Sequence, residues 1–287
     1  MLEILKSILF GIVEGVTEWL PISSTGHLIL LNEFLKLEVS DAFYEMFEVV
    51  IQLGAILAVI VLFFEKLNPF SLYDPQRKYN HSWIIRKKVA VSKRTVALWE
   101  KVIAAVIPSA VLGLLLDDWF DTHFYNYKVV AIALVVYGVA FIAIEQQRKG
   151  KSSAIKKVDN IDWKTALIIG AFQCLALIPG TSRSGSTILG AILIGVSRSA
   201  AAEFSFFLAI PTMLGASGLK ALKYLLHGAE MTGTELGVLI VGSLVSFAVS
   251  LAVIRGLMQY VRKHSFSAFG VYRIVLGILV LVYFLAV

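Results

Sequence analysis

Glu14 and Glu18 stand one helical turn apart, which puts both carboxylates on one face of a helix. The stretch around them is apolar, and a charged side chain at the centre of a bilayer costs about 2.5–3.5 kcal/mol or more. Two carboxylates side by side also repel. Keeping both ionised calls for a cation between or beside them, with Mg²⁺ or Ca²⁺ the expected oxygen-seeking ion. At a shallow helix end the same pair would instead be two solvated carboxylates. Just downstream lies Ser23-Ser24-Thr25-Gly26-His27. Hydroxyls and turn amides hydrogen-bond phosphate oxygens, and Gly26 leaves room for close backbone approach. His27 is the one histidine within an apolar stretch. It is either a proton carrier near neutral pH or a satisfied hydrogen-bonder in a core. Far along the chain, Arg183 stands between Ser182 and Ser184 in apolar surroundings. It needs an anionic partner there. Its planar fork suits a phosphate, and a salt bridge to Glu14 or Glu18 without any ligand is the plainer alternative. Carboxylates with a metal, an arginine clamp and a histidine together make a phosphoryl-transfer set.

The elements that must hold these residues are membrane helices. The 287 residues are 58% hydrophobic and 16% charged, with mean hydropathy +0.80, against ~45–50% apolar and ~25% charged in soluble domains. Six stretches are apolar for close to the ~20 residues that cross the hydrocarbon core: Tyr44–Phe64, Leu98–Leu116, Tyr125–Ile144, Ala201–Leu225, Leu236–Met258 and Gly270–Val287. Two further apolar regions, Leu2–Leu35 and Trp163–Val196, are each broken by a proline, a hydroxyl-rich turn and a glycine. Helices broken at membrane depth are tolerated where protein or a water-filled cavity surrounds them, so both read as re-entrant helix–loop–helix hairpins. No basic n-region or cleavage site precedes the first apolar run, which is expected to be retained. The lone Cys174 cannot form an internal disulfide. No zinc-ligand spacing or Walker-type loop is present, and the +6 net charge reads as a topology signal rather than a nucleic-acid footprint.

The basic residues fall in three connections: Lys66, Arg77, Lys78, Arg86, Lys87, Lys88, Lys93 and Arg94; Arg148, Lys149, Lys151, Lys156, Lys157 and Lys164; and Arg262, Lys263 and Arg273. These should be cytoplasmic. The others are acidic or balanced, with Glu33, Glu38, Asp41 and Glu45 in one and Asp117, Asp118 and Asp121 in another. Both termini then fall outside, the first hairpin enters from outside and the second from inside. The expected fold is all-α: six transmembrane helices and two re-entrant hairpins in one membrane domain, 1–287, built of inverted repeats at roughly 1–145 and 160–287. Gly11 to Gly26 matches the spacing of Gly170 to Gly185, and Glu14 and Gln173 share an offset. Glu48 and Glu203 open the next span of each half. Such repeats bring their broken tips together near the bilayer midplane. Arg198, nearer a helix end, is expected to snorkel; Tyr125, Tyr127 and Trp163 fit an interfacial aromatic belt.

At these residues the chain resembles the undecaprenyl-diphosphate phosphatase family, the bacterial bacitracin-resistance membrane proteins. Glu14-Gly15-Val16-Thr17-Glu18 matches the family's E/Q-x-x-x-E motif, and Ser23 to His27 its S-S-T-G-H turn. Pro179-Gly180-Thr181-Ser182-Arg183-Ser184-Gly185-Ser186-Thr187 fits P-G-x-S-R-S-x-x-T at every fixed position. The resemblance runs over nearly the whole chain. It implies hydrolysis of undecaprenyl diphosphate to undecaprenyl phosphate and inorganic phosphate, recycling the lipid carrier for cell-wall polymers and giving bacitracin resistance. It also implies a bacterial cytoplasmic membrane, a site open to the outer face, and membrane lipid and the diphosphate lipid as partners, without nucleic acid; a homodimer is compatible with it. On this reading Glu14 and Glu18 hold Mg²⁺ or Ca²⁺, and Arg183 clamps the diphosphate. Ser23, Thr25, Ser182, Ser184 and Thr187 bind its oxygens. His27 is base, acid or nucleophile, Ser24 is the rival nucleophile, and water is the third. A lipid-phosphate flippase on the same scaffold is the alternative. The S-R-x5-H-x3-D pattern of the other large membrane lipid-phosphatase superfamily follows neither Ser182-Arg183 nor Ser197-Arg198.

Overall fold

Most of the helices begin where a side-chain oxygen takes an amide that the helix itself leaves unpaired. In the computed structural model, which describes residues 1–72, 82–85, 88–124, 126–228 and 230–286, α1 covers Leu2–Thr17 and α2 Ser24–Phe34. The first long span is two helices in series, α3 (Asp41–Val50) and α4 (Gln52–Leu62), stepped at Ile51, and the short α5 is Phe64–Leu67. Three strands follow, β1 (Phe70–Leu72), β2 (Ser82–Ile85) and β3 (Val89–Ser92). Then come α6 (Lys93–Phe124), α7 (Tyr127–Arg148), α8 (Trp163–Gln173) and α9 (Arg183–Leu193). The chain ends with α10 (Arg198–Leu226), α11 (Gly233–Lys263) and α12 (Ser267–Ala286). Ser40 caps α3, Asn126 α7, Asp162 α8 and Ser197 α10. Thr232 and Glu235 form a reciprocal capping box at α11.

Six helices are long and apolar enough to cross a membrane, and they coincide with the six expected stretches. Their outer faces carry Leu114, Leu115, Ile132, Val136, Leu244 and Ile278 in the open, a pattern that suits lipid and not water. Both interrupted regions are helix–turn–helix, α1–α2 and α8–α9. They pack by close backbone approach. A Cβ on Gly11 would lie 2.5 Å from the Gly242 carbonyl of α11, and one on Gly170 would lie 2.2 Å from the Ala105 carbonyl of α6. Small residues at such crossings are how membrane helices gain packing contacts without a hydrophobic drive. The central cluster joins Trp19 to Ile56 and Val59 of α4, Ile188 of α9, and Phe204, Phe206 and Phe207 of α10.

Several expectations shift. The connection from Lys66 to Arg94 is not plain loop: β3 pairs antiparallel with both β1 and β2, giving the order β1-β3-β2. Arg77, Lys78, Arg86 and Lys87 lie outside the described residues, as does Tyr125. The α6 helix runs on to Phe124, so Asp117, Asp118 and Asp121 stand on helical backbone rather than in a connection. Arg198, at the start of α10, is held by an ion pair. Its Nε and Nη2 engage both oxygens of Glu145, whose Oε1 also accepts from Phe266 N at 2.9 Å, so α7, α10 and the start of α12 are tied together. Arg273, expected in a basic loop, lies inside α12 and is fully buried. Of the aromatic belt, Trp163 is half exposed and Tyr127 stacks on Phe284.

Candidate active site

Each broken helix restarts at a serine with left-handed backbone, Ser23 at φ 74° and Ser182 at φ 69°. Non-glycine residues rarely adopt that region, and each serine is held there by a cap: Ser23 Oγ accepts from Gly26 N at 3.4 Å and Ser182 Oγ from Gly185 N at 3.1 Å. Pro179 and Gly180 precede the second cap. Gly180 has φ 88°, and a Cβ there would lie 2.6 Å from the Val130 carbonyl, so glycine is required on both counts. The turns therefore present two helix N-termini, whose free amides and dipoles favour an anion.

The charged residues meet at these turns. Arg183 Nη2 donates to Glu18 Oε1 at 2.9 Å, and its Nη1 donates to the Ser205 carbonyl at 2.8 Å. The guanidinium lies over the Trp19 ring, 5.8 Å from its centre. Ser24 Oγ donates to the other Glu18 oxygen at 2.7 Å. Glu18 is thus shared between an arginine and a serine hydroxyl, all three buried or nearly so. Glu14 is fully buried, and neither of its oxygens has a hydrogen-bond partner. Burying a bare carboxylate is costly, so this site suits a bound proton or a cation. Among the described residues no three acidic or histidine side chains gather as a metal cage. A divalent ion here would have to draw on Glu14, Glu18 and ligand oxygens, which is the habit of Mg²⁺ beside phosphates.

Glu18, Ser24, Arg183, Ser23, Thr25 and Ser182 line one cavity of about 480 Å³. Its other polar lining is Gln52, Ser109, Gln173, Thr212 and Lys220. Gln173 Nε2 donates to Ser109 Oγ at 2.6 Å, and Thr212 Oγ1 donates to Gln173 Oε1 at 3.4 Å. Apolar residues of α6 and α10, among them Val106, Leu114, Ala216 and Leu219, complete the lining.

Four expected site residues, Glu14, His27, Ser184 and Thr187, are not part of that cavity's lining. The His27 Nδ1 lies 2.7 Å from the Ser23 carbonyl, its Nε2 2.7 Å from Tyr272 OH, and its ring stacks on Tyr272. It has no hydrogen bond to Ser24. Ser184 Oγ donates to the Glu18 carbonyl at 3.1 Å, strapping the second turn to the first. Thr187 is fully buried and bonded to Ser205 Oγ at 2.7 Å. The residue that the sequence did not flag is Arg273. Its Nη1 donates to the Pro21 carbonyl at 3.0 Å, and its Nη2 to Gly180 and Thr181 carbonyls at 2.8 and 3.0 Å. An arginine a few residues inside the apolar run from Gly270 was the available signal.

Six helices of membrane-crossing length, packed around a polar site built at two helix breaks, place the protein among polytopic membrane proteins. The family model described as "Bacitracin resistance protein BacA" matches residues 7–279, and the chain belongs to that family. A Streptococcus thermophilus protein named undecaprenyl-diphosphatase is 55% identical over 283 residues, 99% of this chain and 94% of that protein. An Acetivibrio thermocellus protein of the same name is 55% identical over 287 residues, all of both chains. An Enterococcus faecalis undecaprenyl-diphosphatase is 55% identical over 280 residues, 98% of this chain and 96% of that protein.

Proposed function

We infer that the protein hydrolyses undecaprenyl diphosphate to undecaprenyl phosphate and inorganic phosphate, the activity its full-length relatives are named for. The observation that carries this is the Ser24–Glu18–Arg183 line of hydrogen bonds on the cavity wall. It joins a hydroxyl, a proton acceptor and a phosphate-binding cation.

In the mechanism we propose, the diphosphate enters between the two turns and takes Arg183 as counter-ion, with the amides around Ser23 and Ser182 facing its oxygens. Glu18, already accepting from Ser24 Oγ, takes the hydroxyl proton as Ser24 attacks the terminal phosphorus. The bond from that phosphorus to the bridging oxygen breaks, and undecaprenyl phosphate leaves with the electron pair. Glu18 gives that proton to the departing undecaprenyl phosphate oxygen, then takes one from the water that attacks the phosphorus, and passes it to Ser24 Oγ as the Ser24–phosphorus bond breaks and inorganic phosphate leaves. Attack by water directly, with Glu18 as its base, is the simpler variant. His27 is bonded to Ser23 and Tyr272, a geometry that favours a role in fixing the first turn over one as nucleophile. A divalent ion, Mg²⁺ or Ca²⁺, held by Glu14 with Glu18, would supply charge neutralisation to the phosphate oxygens; the unpartnered Glu14 oxygens support it.

The cavity touches Val106–Leu114 of α6 and Pro211–Lys220 of α10, the halves remote from the basic ends where those helices begin at Lys93 and Arg198. With basic segments cytoplasmic, the site opens outward in the bacterial cytoplasmic membrane. The prenyl tail then lies against the apolar wall between α6 and α10. The inverted relation of the halves is supported by the paired cap serines and by the matching approach of α1 to α11 and α8 to α6.

The test is phosphate release from a prenyl diphosphate by protein purified in detergent, with Mg²⁺, with Ca²⁺ and with chelator, for wild type and Glu18→Gln. Release that needs metal and disappears in the variant is expected. No release by folded wild type would sink the phosphatase, and release undiminished by chelator would sink the metal. A phosphoenzyme trapped by rapid quench and lost in Ser24→Ala would establish the serine; its absence in wild type would assign the attack to water.

A further inference from the structure

Arg273 is a full charge enclosed by protein at the depth of a membrane helix, with no exposed surface. Arginines there pair with a carboxylate or with backbone carbonyls, and among the described residues no carboxylate forms an ion pair with this one. What it holds instead is backbone from both turns at once, Pro21 on one side and Gly180 and Thr181 on the other. The Tyr137 ring lies under the guanidinium, 5.3 Å away. Buried carbonyls at turns lie beyond the reach of the helices' own ladders and must find a donor. A planar fork with several fixed N–H groups can serve three of them across a gap where a single-point donor cannot. The fit is close: a Cβ on Gly185 would come within 3.1 Å of Arg273 Nη1. Arg273 does not line the cavity, so it does not touch what binds there.

We propose that Arg273 is a positioning residue: it fastens the Ser23 turn to the Ser182 turn at the separation at which Glu18 and Ser24, from one, meet Arg183, from the other. The proposal rests on the phosphatase reading for its kinetic consequence, but not for its structural one. Glu18 and Ser24 flank Pro21 closely in sequence, and Arg183 is the neighbour but one of Thr181. A shift of either turn by an ångström therefore carries a reacting group with it, and displacements of that size cost on the order of 100-fold in rate. Because the tie is behind the site and not in it, turnover should suffer and substrate affinity should not.

Two measurements on Arg273→Met and Arg273→Lys, in detergent, test this together. The first is steady-state phosphate release from a prenyl diphosphate, normalised to monodisperse folded protein. Expected is a fall in kcat of about 100-fold for the methionine with KM within about threefold, and partial recovery by the lysine. The second is amide hydrogen exchange, which reads local opening without any activity. Expected is faster exchange in both turn segments, 18–24 and 178–184, with the long helices unchanged. If KM rises while kcat holds, Arg273 binds ligand and the proposal is wrong. Unchanged exchange in the turns overturns it, as does faster exchange everywhere with no recovery by lysine, the sign of a merely structural residue. Should wild type release no phosphate, the phosphatase reading fails alone, and exchange in the turns still decides the tie.

Discussion

Glu18 serves Arg183 through one oxygen and Ser24 through the other, so its replacement should act twice. Glu18→Gln leaves a buried guanidinium without its counter-charge, a change that typically costs about 3–5 kcal/mol. Thermal unfolding in detergent should show it as a lowered Tm, while phosphate release falls about 100- to 1000-fold. An unchanged Tm would mean that Arg183 finds another anion. Arg183 itself reaches two acceptors from two nitrogens, Glu18 and the Ser205 carbonyl. Lysine offers one point charge, and Arg183→Lys should lose at least about tenfold in kcat/KM; near-full activity would remove the fork from the mechanism. Glu14, Glu18 and Arg183 were legible in the sequence because a charge within an apolar run announces itself. The partners of His27 and Arg273 were not, since Tyr272 and the two turns stand far from them along the chain or lie across the fold. Arg273 was further hidden by standing near a basic loop, where an arginine ordinarily marks topology.

Among the elements, the broken helices depend on backbone contacts that leave no room for a methyl group. Gly180 combines φ 88° with a Cβ position 2.6 Å from the Val130 carbonyl. Gly180→Ala should therefore destabilise by roughly 1–3 kcal/mol and slow turnover by displacing the second turn. Gly256 of α11 meets nothing within 4 Å, and Gly256→Ala should be neutral or raise Tm slightly, as helix propensity favours alanine by about 1 kcal/mol. Equal Tm losses at both would show that strain at the turn is not what matters. The six spans were readable from apolar length alone, and the breaks at Pro21 and Pro179 from turn chemistry. The step at Ile51 was not, because Val49, Val50, Ile51 and Gly54 are weaker helix formers that membrane spans ordinarily tolerate. Nor was the β1-β3-β2 sheet, whose pairing joins short segments through partners that local pattern does not specify.

At the scale of the whole molecule, the basic segments lie at the starts of α6 and α10, and the cavity lies about midway along them and beyond. In a Cys174→Ser background, a cysteine placed at Lys157 should be labelled by an impermeant thiol reagent only from the cytoplasmic side, and one at Glu38 only from outside. Labelling of both from one side would overturn the orientation. The cavity's apolar rim includes Leu114 and Ala216, both on the outward surface of their helices. A prenyl tail gains about 0.8 kcal/mol for each CH₂ it keeps in hydrocarbon, so a substrate meeting that rim arrives sideways and never dissolves in water. Concentration per volume then loses its meaning for this protein. At fixed substrate and below saturation, doubling the detergent should halve the rate, and adding water to the same micelles should leave it alone. The encounter takes place in two dimensions, governed by mole fraction in the lipid phase.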